Sequence, residues 1–456
     1  MNFIKLLYKF VAIFALFAAA TESHAIPAFA RQVGVSCSAC HFQHFPVLNE
    51  DGRAFKAGGF TLMRKNPKIE DEGLSLPATL NLAFVTNLAY TKSNGTSVPT
   101  SSALSKDANN GQFQMTQYSL FMGGRVGENI GFEGEIGLTG TNVGGVGLAS
   151  VKFPFIYELA DVKAGVVPFT TNGLGAAQGF ELFNTGAVAV HLFNQQDMSA
   201  ISAQQYINTA TPASGAAFVA SSKTWFVNFS KWMPDTINGH QNNPGDPGAG
   251  SPTSNYLRIA TTPGGFISGF DLGIGAQFWN GTSSTMQSAY ANGPLAGTYE
   301  TKAAAIDAQL LGDVGEDVGE LPLTLIVSYA TAPANAPGAI TSNLFNQGTD
   351  TRKSFNIGAE LGVIPNKATI QLGIRKARSG QEQFDATGVA IAGTNASDNA
   401  IMLGATYSLA LNVRAEITFS KYSGDAYGAG AQAAAAATPY PYVGDRLTTV
   451  NVWMDF

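Results

Sequence analysis

Cysteine is nearly missing from this chain: 456 residues contain two, Cys37 and Cys40, so no disulfide framework holds the fold together. Charge is scarce as well. Only 13% of residues are Asp, Glu, Lys or Arg, and the net charge of −6 argues against nucleic acid as a partner. After the N-terminal leader, no segment has the roughly 18 uninterrupted apolar residues of a membrane helix. Catalytic triads, P-loops and Rossmann fingerprints are also missing, so neither acid–base nor nucleotide chemistry is expected. What the chain has in abundance is Gly (51 residues), Phe (30) and Tyr (14). Low charge with many glycines and aromatics suits a β-rich chain that meets lipid on one side and water on the other.

The leader reads as a secretory signal. Lys5 and Lys9 form a positive n-region, Phe10 to Ala20 an apolar h-region, and Ser23-His24-Ala25 a small-x-small cleavage site. Residues 1–25 are therefore expected to be removed, taking His24 with them, so that the mature chain begins at Ile26. The apolar run is too short for a membrane anchor.

From residue 77 the dominant pattern is alternation of period two, the mark of half-buried strands. Phe270, Leu272, Ile274, Ala276 and Phe278 alternate with Asp271 and Gln277; Phe355, Ile357, Leu361 and Val363 alternate with Asn356 and Glu360. Val413, Ala415, Ile417 and Phe419 do the same around Arg414 and Glu416. Short turns at 127–129, 365–367 and 411–412 alternate with long polar or Gly/Ala-rich stretches at 91–111, 281–300, 332–352, 378–398 and 423–445. That rhythm, repeated about sixteen times with strands of roughly ten residues, describes an antiparallel outer-membrane β-barrel of porin size, its short turns in the periplasm. Within the least regular region, 170–254, strands are expected near 183–193 and 222–232, with a further one near 255–262. The chain ends on an alternating strand whose last residue is Phe456, as outer-membrane barrels do. A secreted β-sandwich or β-helix is the alternative, but neither needs such a regular short/long rhythm.

Cys37-Ser38-Ala39-Cys40-His41 is a Cys-x-x-Cys-His box. Two thiols at this spacing can be alkylated by the vinyl groups of one haem, with the adjacent imidazole as proximal iron ligand. The competing reading is a redox disulfide beside an incidental His; no thioredoxin-like βαβ pattern accompanies the box to support it. Residues 26–76 are expected to form the haem segment and 77–456 the barrel. At about 45 residues the segment is too small to build its own core, which suggests a plug inside the barrel. For the second axial ligand, Met63 is the candidate and His44 the alternative. If the box continues as a helix, His44 falls at i+3 from His41 and on the same side of the porphyrin. Arg31, Arg53 and Lys56 are candidates for the haem propionates, or else ordinary solvated charges. Lumenal carboxylates such as Glu133, Glu135, Asp271 and Glu360 would attract Fe²⁺, although polar lumens are normal in porins.

One further pattern surrounds the box: Pro27-Ala28-Phe29-Ala30-Arg31-Gln32 before it, then Phe45-Pro46, Leu48, Gly52-Arg53-Ala54-Phe55-Lys56 and Gly59-Phe60. These residues resemble the N-terminus of the fused monohaem cytochrome–porin family of iron-oxidising bacteria. Val33 and Phe60 depart from it, standing where Thr and Tyr are expected. The resemblance implies an outer-membrane c-type cytochrome with one covalent haem. It would take electrons from extracellular Fe(II) as substrate and pass them to a periplasmic c-type cytochrome or similar acceptor. The alternatives are a solute porin whose haem plug is structural or gating, and a conduit for another donor or acceptor.

Overall fold

The computed structural model describes residues 27–63, 67–72, 74–78, 80–95, 111–138, 147–186, 202–234, 252–285, 297–315, 320–334, 342–410, 412–428, 431 and 444–456. The leader lies outside the described residues. The alternating segments form sixteen strands. These are β1 (Leu82–Ser93), β2 (Gln112–Arg125), β3 (Gly131–Gly137) and β4 (Gly147–Lys152, resumed at Phe155–Leu159). Next come β5 (Val162–Thr171), β6 (Ala213–Ser221), β7 (Trp225–Met233), β8 (Ser254–Thr261), β9 (Phe270–Asn280) and β10 (Ala303–Val314). The last six are β11 (Leu321–Ala332), β12 (Arg352–Ile364), β13 (Ala368–Arg378), β14 (Asn399–Ala410), β15 (Val413–Ser423) and β16 (Arg446–Asp455).

Each strand pairs antiparallel with the next, and β16 returns to β1 from Leu447↔Ser93 to Asp455↔Val85, closing the barrel. Closure removes every sheet edge, the condition for strands to cross lipid. The interruption in β4 falls at Phe153-Pro154, where proline has no N–H for the ladder. Both pieces keep one register on β5, Lys152↔Phe169 and Phe155↔Val166, and so count as one strand.

Burial is inverted relative to a soluble protein. On β13, Ile370 and Leu372 are 50% and 37% exposed, whereas Thr369 and Gln371 between them are 4% exposed. The same holds for Leu403 and Phe419 outside, and for Glu360, Arg414, Glu416 and Asn451 inside. An apolar exterior around a polar lumen is the burial pattern of an outer-membrane barrel. No described helix is long and apolar enough to cross a membrane.

The expected turns are present: β2–β3, β12–β13 and β14–β15 are joined tightly, and the long connections all leave the opposite rim. The region 170–254 differs from expectation. Strands β7 and β8 stand where expected near 222–232 and 255–262, but no strand covers 183–186; residues 187–193 lie outside the described residues. Residues 174–186 instead pack against the lumen wall. Phe180, Leu182 and Phe183 join Phe226, Trp232 and Tyr256 in one apolar core, and the Asn228 amide donates to the Phe180 carbonyl at 2.9 Å. Helix α3 (Ala203–Tyr206) joins the same core, its Ala203 N–H donating to Ser328 Oγ at 2.9 Å. The apolar residues here serve lumenal packing, which carries no strand periodicity.

The N-terminal segment has helix α1 (Pro27–Val33), a 3-10 turn at Cys37–Ala39, and helix α2 (Glu50–Ala57). A short hairpin, Lys68–Asp71 with Leu74–Pro77, follows, and the first barrel strand starts at Leu82. Phe29 stacks on Phe60 at 4.9 Å and meets Phe55 edge-on, giving the segment a small core with Val33.

Candidate functional site

Ser36 leads in extended conformation into a single 3-10 turn, in which the Cys40 and His41 N–H groups both donate to the Cys37 carbonyl, at 3.0 and 2.9 Å. The turn ends there. His41 bridges to Leu48 as a strand pair, and the intervening residues 42–47 form a loop closed by Phe42 N–H to the Val47 carbonyl at 2.8 Å. The assumed helical continuation is therefore absent, and with it the reason for placing His44 beside His41.

Helix α2 forms the floor beneath the box. Asn49 caps it by accepting from the Gly52 N–H at 2.9 Å, while its amide donates back to the carbonyls of Ser38 and Ala39 at 3.4 and 3.2 Å. Gly52 packs so closely that a Cβ there would stand 2.1 Å from the Cys40 carbonyl oxygen. Above this floor Cys37, Cys40, His41 and Lys56 share one cavity. Its apolar lining comes from Phe29, Val33, Phe45, Leu48, Phe55 and Phe60; its polar lining includes Glu133, Glu135, Lys152 and Arg414 from the barrel wall.

No protein-family model matches this chain, and no curated protein matches it. Solved structures do. It is similar to OmpT of Vibrio cholerae with loop L8 deleted, at 10% identity and TM-score 0.45, covering 83% of this chain and 99% of that one. It is similar to the channel DcaP of Acinetobacter baumannii at 9% identity, covering 85% and 99%, and to a multiple mutant of the Rh. blastica porin at 12%, covering 83% and 100%, both with TM-score 0.45.

The structure separates the candidates the sequence offered. Cys37, Cys40, His41 and Lys56 line the cavity; His44, Met63, Arg31 and Arg53 do not. His44 is buried against the wall, where Nε2 donates to Glu360 at 2.7 Å and Nδ1 accepts from Arg414 Nη1 at 2.6 Å, leaving neither nitrogen for iron. Arg53 pairs with Asp271 at 2.6 Å, and the Arg31 guanidinium donates to the Leu82 carbonyl. Met63 is half-buried outside the lining, next to Leu62, whose carbonyl accepts from Gln32 at 3.0 Å. Of the four expected lumenal carboxylates, Glu133 and Glu135 line the cavity, whereas Asp271 and Glu360 hold Arg53 and His44.

Burial holds the His41 imidazole down to about 4, against a smaller raising effect of the Val47 carbonyl, so it is neutral near pH 7, as a metal ligand must be. Its Nδ1 is buried without a partner in hydrogen-bond geometry. Burial, reinforced by Lys152, lowers Lys56 to about 8. Two thiols, a neutral imidazole and cations around an apolar slot fit the demands of a covalently held haem: thioether attachment, an axial nitrogen and counter-charges for carboxylates. Sequence reasoning missed Asn49, Gly52, Lys152 and Arg414. Asn49 before Glu50-Asp51 was readable as a helix N-cap, and Arg414 as an inward charge on an alternating strand.

Proposed function

We propose that the chain is an outer-membrane c-type cytochrome. Residues 26–76 would form a haem-bearing plug within the barrel, exported through a cleaved leader. The carrying observation is that Cys37, Cys40 and His41 line one cavity, enclosed by apolar side chains of their own segment and by Glu133, Glu135, Lys152 and Arg414 of the barrel wall. A haem bound there supplies a one-electron iron couple. The chain's own part is to fix it: Cys37 and Cys40 as thioether sulfurs, His41 as the proximal nitrogen, Gly52 and Asn49 as the floor that holds the box in shape. The segment reaches widely separated strands, from Arg53–Asp271 on β9 to Gln43–Thr324 on β11 and His44–Glu360 on β12, which supports the plug.

The donor we assign is extracellular Fe(II), and the acceptor a periplasmic c-type cytochrome. The N-terminal motif supports the donor. No proton transfer is required of the protein; the barrel excludes solvent and insulates the path. Rapid mixing of the purified holoprotein with Fe²⁺ tests this reading. The reduced c-type spectrum is expected; a haem that dithionite reduces but Fe²⁺ leaves oxidised would overturn the donor assignment.

A second reading, a solute porin, is favoured by the polar lumen of a sixteen-stranded barrel. Against it stands the apolar core that residues 174–186 and α3 build inside that lumen. Liposome swelling separates the two: sugar uptake at ordinary porin rates supports the pore, and its failure supports the sealed conduit.

A further inference from the structure

Arg414 is a charge the sequence candidates did not include. It sits near the short-turn end of β15, is 4% exposed, and lines the cavity. Its contacts are uncharged or shared: Nη1 donates to His44 Nδ1 at 2.6 Å and to the Phe45 carbonyl at 2.8 Å, while Nε is buried without a partner. Among the described residues no carboxylate stands within ion-pair distance of it. Lys56, half-buried on the same cavity, likewise makes no ion pair, whereas the charge of Lys152 is already matched by Glu133 at 2.9 Å. A buried guanidinium without an anion is costly, and the fork geometry of arginine fits a carboxylate. A buried guanidinium and a half-buried amine on one cavity make no ion pair with a carboxylate among the described residues, although the charges of Glu133, Glu181 and Glu416 act on them from further off; the group assigned to that cavity carries two carboxylates.

We propose that Arg414, supplied by the barrel wall, is an anchor for a haem propionate, with Lys56 meeting the other. This rests on the haem reading above, and it replaces Arg31 and Arg53, whose guanidinium groups are engaged elsewhere. It also gives the barrel a direct hold on the cofactor, independent of the covalent box. A cation beside the haem disfavours the ferric state, so its removal is expected to lower the midpoint potential.

The test is a redox titration of holoprotein in detergent for the wild type, Arg414→Gln, Arg414→Lys and His44→Gln. His44→Gln removes the imidazole that Arg414 contacts but keeps the guanidinium. The expected result is a lower potential in Arg414→Gln, recovery of most of the shift in Arg414→Lys, and a wild-type potential in His44→Gln. Equal shifts in Arg414→Gln and His44→Gln would mean that Arg414 acts only through the 42–47 loop, and would overturn the proposal. So would an unchanged potential in Arg414→Gln. Should that variant fail to assemble, the resonance Raman propionate modes of the wild type and Arg414→Lys decide: a shift between them supports contact, identical modes refute it. Wild-type protein that carries no covalent haem would instead sink the haem reading itself.

Discussion

Gly52→Ala is the sharpest probe of how the box is held. The new Cβ would meet the Cys40 carbonyl oxygen at 2.1 Å and Leu48 Cδ2 at 3.0 Å. The leucine tip can turn away, but the carbonyl belongs to the box's own backbone and is fixed by the Asn49 N–H at 3.1 Å. Reaching ordinary contact needs α2 to retreat by about 1.3 Å, with an overpacking cost of about 1–3 kcal/mol. That retreat opens the floor under Cys40 and His41, so the fraction of protein carrying covalent haem should fall along with the melting temperature. Gly58→Ala is the control: its nearest neighbours would lie at 3.5 Å, an ordinary contact, and its φ of −79° suits alanine. The assay is the pyridine haemochrome absorbance per protein, read beside a thermal melt, after co-expression with a cytochrome c maturation system. Wild-type haem content and melting in Gly52→Ala would refute the packing argument, and equal losses in both variants would show that the helix tolerates neither change for reasons unrelated to the box.

Other consequences are simpler. Asn49→Ala removes the cap of α2 and two bonds to the box, and should cost about 1 kcal/mol, seen as a lower melting temperature. Leu403→Arg places a charge on the lipid face of β14 and should destabilise the folded barrel by about 2–4 kcal/mol in refolding titrations, whereas the same change in a soluble sandwich would cost little. Lys56 has a native pKa near 8, below its unfolded value of 10.5, so the native state holds fewer protons between these values. Stability of the haem-free Cys37→Ala/Cys40→Ala variant should therefore rise with pH from about 8 to about 10.5, by as much as about 3 kcal/mol. Denaturation midpoints that are flat across this window would contradict the burial of that amine.

The barrel was legible because lipid on one face and water on the other impose period two. Asp271, Gln277, Asn356, Glu360, Arg414 and Glu416 fall inward where alternation puts them. Residues 174–186 were not legible, because Phe180, Leu182 and Phe183 owe their apolar character to the lumenal core rather than to lipid. At the candidate site the box and Lys56 could be read from the sequence, since local spacing carries them. His44 could not: its position is set by Arg414, separated from it by 370 residues, and by Glu360. The contacts of Arg31 and Arg53 were hidden for the same reason, their partners Leu82 and Asp271 being fixed only once the barrel closes.

The central claim is that Cys37 and Cys40 hold one haem. Intact-mass spectrometry of the mature protein, made with a cytochrome c maturation system and then treated with a thiol-alkylating reagent, tests it most directly. The account expects a mass greater by one haem, a c-type absorbance that survives acid–acetone extraction, and no alkylation at Cys37 or Cys40. A protein of bare polypeptide mass whose two thiols are both alkylated, or are joined to each other, would contradict it.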